Sequence, residues 1–177
     1  FDAVIHCAGL PALAPSLKTP GRYYQSVINA GVNLLEAMNE GGCQRILCAS
    51  SCAVYGLPEK IPVDERVPTK PITPSGHAML VFEEILEWYK KIYGIQYSSL
   101  RIFNVAGATS KLGEWVAHPD RLFSRIFLVA SGAEEFVPVH GDGHATPDGT
   151  CIRDYIHVGD LARGVRRALE VEQGGVF

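Results

Sequence analysis

Few side chains in this sequence are equipped for chemistry near neutral pH. His77 titrates in that range, and it stands in the run Thr73-Pro74-Ser75-Gly76-His77-Ala78-Met79. On a helix, two residues turn about 200°, so His77 faces away from any surface that Ser75 and Met79 share. A surface histidine near a helix start is its plainer reading. Arg153 presents a planar fork of donors suited to bidentate contact with phosphate; an ion pair with neighbouring Asp154 or a nearby Glu is the alternative. The five cysteines, Cys7, Cys43, Cys48, Cys52 and Cys151, are odd in number and scattered. Cys48 and Cys52 miss a C-x-x-C spacing, no second pair completes a zinc set, and nothing suggests a disulfide framework. They read as small buried hydrophobes in a reducing cytoplasm, and no metal site is expected.

The elements that must position these residues alternate. Residues 2–7 form an apolar run ending at Ala8-Gly9, a strand leading into a loop. Residues 20–39 carry Tyr24, Val27, Ile28, Leu34, Leu35 and Met38 at a helical period, and Gly41-Gly42 closes that helix. Residues 44–49 read as the next strand. Residues 57–73, punctuated by Pro58, Pro62, Pro68 and Pro71, read as an ordered surface loop. A second long helix carries Met79, Phe82, Leu86 and Tyr89 and ends at Gly94, followed by a strand over 97–103. Strand and helix in alternation with short joints predict parallel strands with crossover helices, an α/β fold built as part of a Rossmann-like doubly wound sheet. Beyond Gly107 the order loosens: a helix is expected over 122–129, a short strand over 136–139 and a last helix over 159–170. The expected division is a Rossmann-like portion at 1–107 and a second portion at 108–177 with a returning Rossmann segment, the second being part of a small substrate-binding lobe by the family resemblance set out below.

Composition narrows the partners. The chain has 177 residues, 47% hydrophobic and 20% charged, with net charge −3. Lys and Arg do not cluster on any segment, so no nucleic-acid partner is expected. The apolar runs fall far short of the ~20 residues of a membrane span, so no membrane association is expected. A dinucleotide domain places its cofactor's pyrophosphate on a Gly-rich strand–turn–helix, and no such run precedes Gly31. The sequence therefore reads as starting in mid-domain. Residues 2–7 would be a fourth strand whose central partner lies outside the sequence, and the exposed edge is expected to recruit another chain.

Four segments, in order, resemble the UDP-glucose 4-epimerase family: 1–10 (FDAVIHCAGL), 50–56 (SSCAVYG), 100–108 (LRIFNVAGA) and 146–158 (TPDGTCIRDYIHV). The last, followed by Asp160-Leu161-Ala162, is the most distinctive and favours epimerases over dehydratases of the same superfamily. The resemblance implies an NAD-dependent interconversion of UDP-glucose and UDP-galactose, with a UDP-sugar as partner and a possible homodimer. It places Cys7, Ala8, Gly9, Ser26 and Ser50 beside the cofactor and makes Ser51 an accessory catalytic hydroxyl. It also places Asn104, Arg121, His140 and Arg153 around the sugar nucleotide. For Asn104 a turn after a strand is the alternative, and Tyr55 reads as a packing residue.

The family takes a hydroxyl proton with a tyrosine and holds the cofactor with a lysine one helical turn later, on the same face. Aligned on Thr73-Pro74, those two positions are Ser75 and Met79. A serine is too short and too weak an acid to replace the phenol, and methionine has neither charge nor donor. Pro11 stands at a cofactor-touching Lys position, Ser26 at an Asn position and Ala53 at a hydroxyl position. The resulting expectation is an epimerase-like protein, inactive as written, with weak or absent NAD binding. A non-catalytic sugar-nucleotide-binding or partner-binding relative, or a truncated remnant, are the alternatives.

Overall fold

A computed structural model describes residues 1–10, 14–113, 121–171 and 174–177. The expected alternation is present. Strand β1 (Val4–His6) is followed by helices α1 (Ala14–Lys18), α2 (Pro20–Tyr24) and α3 (Ala30–Glu40), then by β2 (Arg45–Ser51). Helix α4 (Pro74–Tyr93), β3 (Gln96–Ile102), β4 (Asn104–Ala106), α5 (Leu122–Ala130), β5 (Tyr155–His157), α6 (Val158–Glu170) and β6 (Gly175–Val176) complete it. Four strands form one parallel sheet in the order β1-β2-β3-β6. The α/β class with a parallel sheet is thus as expected. Among the described residues β1 pairs with β2 alone and forms one edge of that sheet.

The chain divides into two compact units. Unit 1 comprises Phe1–Phe103 with Gly164–Phe177, and unit 2 comprises Asn104–Arg163. Unit 1 is built on the 3.6-residue period of its long helices. Ala78, Phe82 and Leu86 line one face of α4 and pack with Leu35 and Met38 of α3 and with Ile46, Cys48 and Tyr97 of the sheet. The start of α4 is fixed by Thr73, whose hydroxyl accepts the Gly76 N–H at 3.2 Å, with Pro74 in the first turn. This is the side-chain cap and Pro placement a helix start favours. At the entrance of β2, Arg45 donates through Nη1 to Leu169 O at 2.6 Å and through Nη2 to Val171 O. It satisfies carbonyls at the C-terminal end of α6, where a cation is favoured.

Two expectations are corrected. The helix expected over 20–39 is interrupted by a π-turn at Gln25–Asn29, where Ala30 N–H reaches back to Gln25 O. The hydroxyl of Ser26 inside this turn donates to Tyr23 O at 3.2 Å, a bond that competes with the regular ladder. The strand expected over 136–139 does not form. Phe136 and Val139 are exposed and no described strand lies beside them, while Pro138 has no N–H to give a ladder. Unit 2 instead pairs β4 with β5 in parallel, Asn104 opposite Tyr155. No helix among the described residues is long and apolar enough to cross a membrane.

Candidate active site

In a parallel sheet all strands end on the same edge, and ligands bind in the crevice outside those carboxyl ends. In unit 1 the register sets His6 opposite Cys48 and Ser51 opposite Ile102. The loop after β1 therefore opens at the edge where β2 delivers Ser51. Cys7, Ala8 and Gly9 lie exposed there. Ser51 ends β2 and caps the short 3₁₀ turn Cys52–Tyr55, its Oγ accepting Ala53 N–H at 3.2 Å. That turn lies directly against the first turn of α4. A Cβ on Gly76 would sit 2.6 Å from Ala53 O, so only glycine permits this approach.

The same helix turn presents Ser75, whose hydroxyl is 3.3 Å from Thr73 Oγ1. One turn on, the Met79 methyl lies 3.8 Å from where a Gly9 Cβ would be. Gly9, Ser51, Ala53, Ser75 and Met79 are thus gathered at one end of the sheet, by β1, β2 and α4 together. Chemically the group offers two hydroxyls and a thioether, with no base and no cation among these five side chains. The exposed small residues 7–9 leave room for a flat cofactor, but Met79 cannot donate to a ribose. The fit to a dinucleotide is therefore partial.

Two residues expected beside the cofactor are engaged otherwise. Ser50 is buried, and its hydroxyl donates to Glu83 Oε1 at 2.5 Å. Alternation along β2 turns it to the opposite face from Ser51. Ser26 spends its hydroxyl proton on Tyr23 O. His77 is exposed and stacks edge-on against Tyr24, its Nδ1 3.2 Å from the Tyr24 hydroxyl. Pro11 lies outside the described residues.

The sequence reading missed Glu83, which follows Ser75 and Met79 on the same α4 face at the next turn. It is 5% exposed, and it accepts from Ser50, from Ser99 at 3.2 Å and from Arg101 Nη2 at 2.7 Å. Arg101 in turn lies over the Tyr55 ring at 4.9 Å and donates to its hydroxyl at 3.1 Å. Tyr55 is thus a packing residue, as read. A buried carboxylate is costly unless it is paired and fully hydrogen-bonded, and this one is. Burial, with the Glu83 charge second, pushes the nearby Cys48 thiol up to about 12. The only signal in the sequence was a glutamate on an apolar helix face with an arginine in the following strand.

In unit 2, Asn104 Nδ2 donates to Asp154 O at 2.9 Å, tying the start of β4 to the approach of β5. Arg153 is exposed, and among the described residues it has no carboxylate partner. Among the described residues the ion pair with Asp154 is absent, and the guanidinium reaches Cys151 Sγ instead, Nη2 at 3.7 Å. Arg121 stands at the N-cap of α5, its carbonyl accepting Arg125 N–H at 2.9 Å. His140 is exposed on the segment after Val139.

The chain as a whole resembles known proteins. Residues 1–177 match the model of the NAD dependent epimerase/dehydratase family. A UDP-glucose 4-epimerase of Streptococcus mutans is 42% identical over 163 residues, 91% of this chain and 49% of that protein. UDP-glucose 4-epimerase 2 of Oryza sativa is 41% identical over 174 residues, 96% of this chain and 43% of that protein. The crystal structure of the Bifidobacterium longum UDP-glucose 4-epimerase in complex with NAD+ and UDP superposes with a TM-score of 0.92 at 37% identity, covering 100% of this chain and 55% of that one. The Brucella ovis enzyme in complex with NAD gives 0.91 at 38% identity, covering 99% and 55%. The chain spans about half the length of the relatives it matches, and its sheet is Rossmann-like as theirs is. It belongs to the NAD dependent epimerase/dehydratase family.

Proposed function

We propose that this chain is part of a UDP-glucose 4-epimerase-like protein that holds a UDP-sugar but does not turn it over. The observation that carries the reading is Met79 one helical turn beyond Ser75, its methyl 3.8 Å from where a Gly9 Cβ would be. The family's acid/base device needs a phenol and a cation at these two positions, and positioned acid–base groups contribute roughly 10²–10⁴-fold in rate. Ser51 already accepts the Ala53 N–H and can orient a sugar oxygen without deprotonating it. NAD, where bound, supplies the acceptor and donor of the sugar's hydride. Cys7, Ala8 and Gly9 would border it, and neither Met79 nor Ser50 would donate to it, so weak binding is expected. Asn104 and Arg153 are the proposed contacts to the diphosphate. A relative crystallised with NAD+ and UDP supports these two ligand classes. A homodimer belongs to the same proposal and is read by sedimentation.

The test is interconversion of UDP-glucose and UDP-galactose by the intact protein, with acid release of any copurified NAD. No turnover above the enzyme-free control is expected. Gain of turnover in the Ser75→Tyr/Met79→Lys double variant would locate the defect in these two residues. Turnover by the unaltered protein, or stoichiometric NAD, overturns the proposal. The second reading, a relative that binds a partner chain rather than a sugar nucleotide, is favoured if calorimetry shows no heat with UDP-glucose.

A further inference from the structure

The loop leading to Arg153 holds a second arrangement that the sugar-nucleotide reading does not use. Residues 144–151 close on themselves: His144 N–H donates to Gly149 O at 2.9 Å and Thr146 N–H to His144 O at 2.8 Å. Thr146 Oγ1 donates to Thr150 O at 2.6 Å, and Asp148 Oδ1 accepts both the N–H and the hydroxyl of Thr150, each at 2.9 Å. Gly149 has φ +78°, and a Cβ there would overlap Asp142 O, so the turn depends on glycine. The closure brings the two ends of the loop side by side. His144 Nε2 lies 3.2 Å from Cys151 Sγ, and Arg153 Nη2 lies 3.7 Å from the same sulfur. Cys151 itself is exposed.

We propose that Cys151 is a reactive thiol, the site at which small disulfides modify this chain. The thiolate is the nucleophile in such chemistry, and an adjacent base and cation are what favour it. With its proton on Nδ1, His144 accepts the Cys151 proton at Nε2, and the Arg153 guanidinium faces the charge that develops on sulfur. The thiolate attacks one sulfur of a disulfide RSSR. A new S–S bond forms to Cys151 as the old one breaks, and the leaving thiolate RS⁻ takes the proton held by His144. The net change is one thiol consumed and one thiol released. The contrast within the chain is sharp: Cys43 and Cys48 are buried, and Cys48 is held protonated besides. Cys7 is exposed but, among the described residues, has no imidazole or guanidinium bonded to its sulfur. If Arg153 takes the diphosphate, as proposed above, an adduct on Cys151 competes with it. That consequence rests on the earlier reading; the thiol assignment does not.

The intact chain is treated with glutathione disulfide, and adduct formation at each cysteine is followed by peptide mass spectrometry, with Cys7 as the internal reference. With the His144 imidazole and the Arg153 guanidinium beside its sulfur, Cys151 is expected to react faster than Cys7 by about threefold or more. His144→Gln is expected to remove the advantage at Cys151 and leave Cys7 unchanged. Equal rates at the two cysteines, or a Cys151 rate indifferent to His144→Gln, overturn the proposal. A parallel arm adds excess UDP. Slowing at Cys151 alone supports the competition, whereas fast modification that UDP does not affect keeps the thiol assignment and rejects the diphosphate role of Arg153.

Discussion

The two units of this chain are held by different means. Unit 1 contains every buried hydrophobic side chain among the described residues, from Tyr23 and Val27 through Phe82 to Tyr97, and its one buried ion pair is enclosed by hydroxyls and a tyrosine. Among the described residues unit 2 contributes a single buried one, Ser124. Its order comes instead from the β4–β5 pair, the Phe123–Tyr155 edge contact at 5.2 Å, the Arg125–Glu134 ion pair at 2.6 Å and the bonds of the 144–150 turn. Apolar burial is non-directional and grows with area. Turns and partly exposed polar contacts contribute little net stability each. Stability and candidate chemistry are therefore distributed unequally. The hydroxyl site of unit 1 rests on a packed scaffold, while the Asn104, Cys151 and Arg153 surfaces of unit 2 rest on local bonds.

Core truncation should expose the contrast most strongly. Phe82→Ala, at a side chain 1% exposed, is expected to destabilise by about 3–5 kcal/mol, read from the urea midpoint. Phe127→Ala in α5, at an exposed position, should fall within about 0.5 kcal/mol, as surface changes usually do. Comparable losses at both sites would erase the distinction between the units.

The buried ion pair comes next. Glu83→Ala leaves the Arg101 guanidinium without its carboxylate where both side chains are under 10% exposed. A loss of about 3 kcal/mol or more is expected, since breaking a buried pair costs more than removing both partners. The control is Glu83→Leu/Arg101→Met, which should recover most of it. A single variant as stable as the parent would mean that water already reaches the pair.

A smaller effect tests the contact that assembles the site. Gly76→Ala drives a methyl into Ala53 O and should cost about 1–3 kcal/mol, the usual range for overpacking. Hydrogen exchange at Ala53 and Gly76 should rise together. A neutral Gly76→Ala variant would show that the Ser51 turn and the Ser75 turn move apart freely.

The smallest effect is electrostatic. His6 is buried with its ring edge-on to Phe82 at 5.7 Å, and burial lowers its pKa below the ordinary 6.5. The unfolded chain takes up a proton first as the pH falls. Stability associated with His6 is therefore fully present above pH 6.5 and is lost as pH drops through the folded-state value. Between about pH 7.5 and 5.5, the parent should lose more stability than His6→Gln. Parallel pH profiles for the two would remove His6 from the core.

Sequence alone determined the alternation of strands and helices in unit 1, because 3.6-residue periodicity, a Thr-Pro helix start and closing glycines are local signals that need no partner to be read. Aligned on the neighbouring Thr73-Pro74, it also singled out Ser75 and Met79 as the positions on which the proposed loss of turnover rests. Tertiary structure decided what had no local signature. The π-turn around Ser26 depends on a side chain bonding its own helix, and the partner of β4 lies some fifty residues away in β5. The 136–139 segment had the composition of a strand but found no neighbour to complete its ladder. Ser50 and Ser51 are adjacent and chemically identical; only the pleat of β2 sends one to Glu83 and the other to the edge of the sheet. His144, Cys151 and Arg153 became a cluster for the same reason. Which side chains meet is set by how the backbone closes, and pairwise contact across a turn is not written into the identity of any one residue.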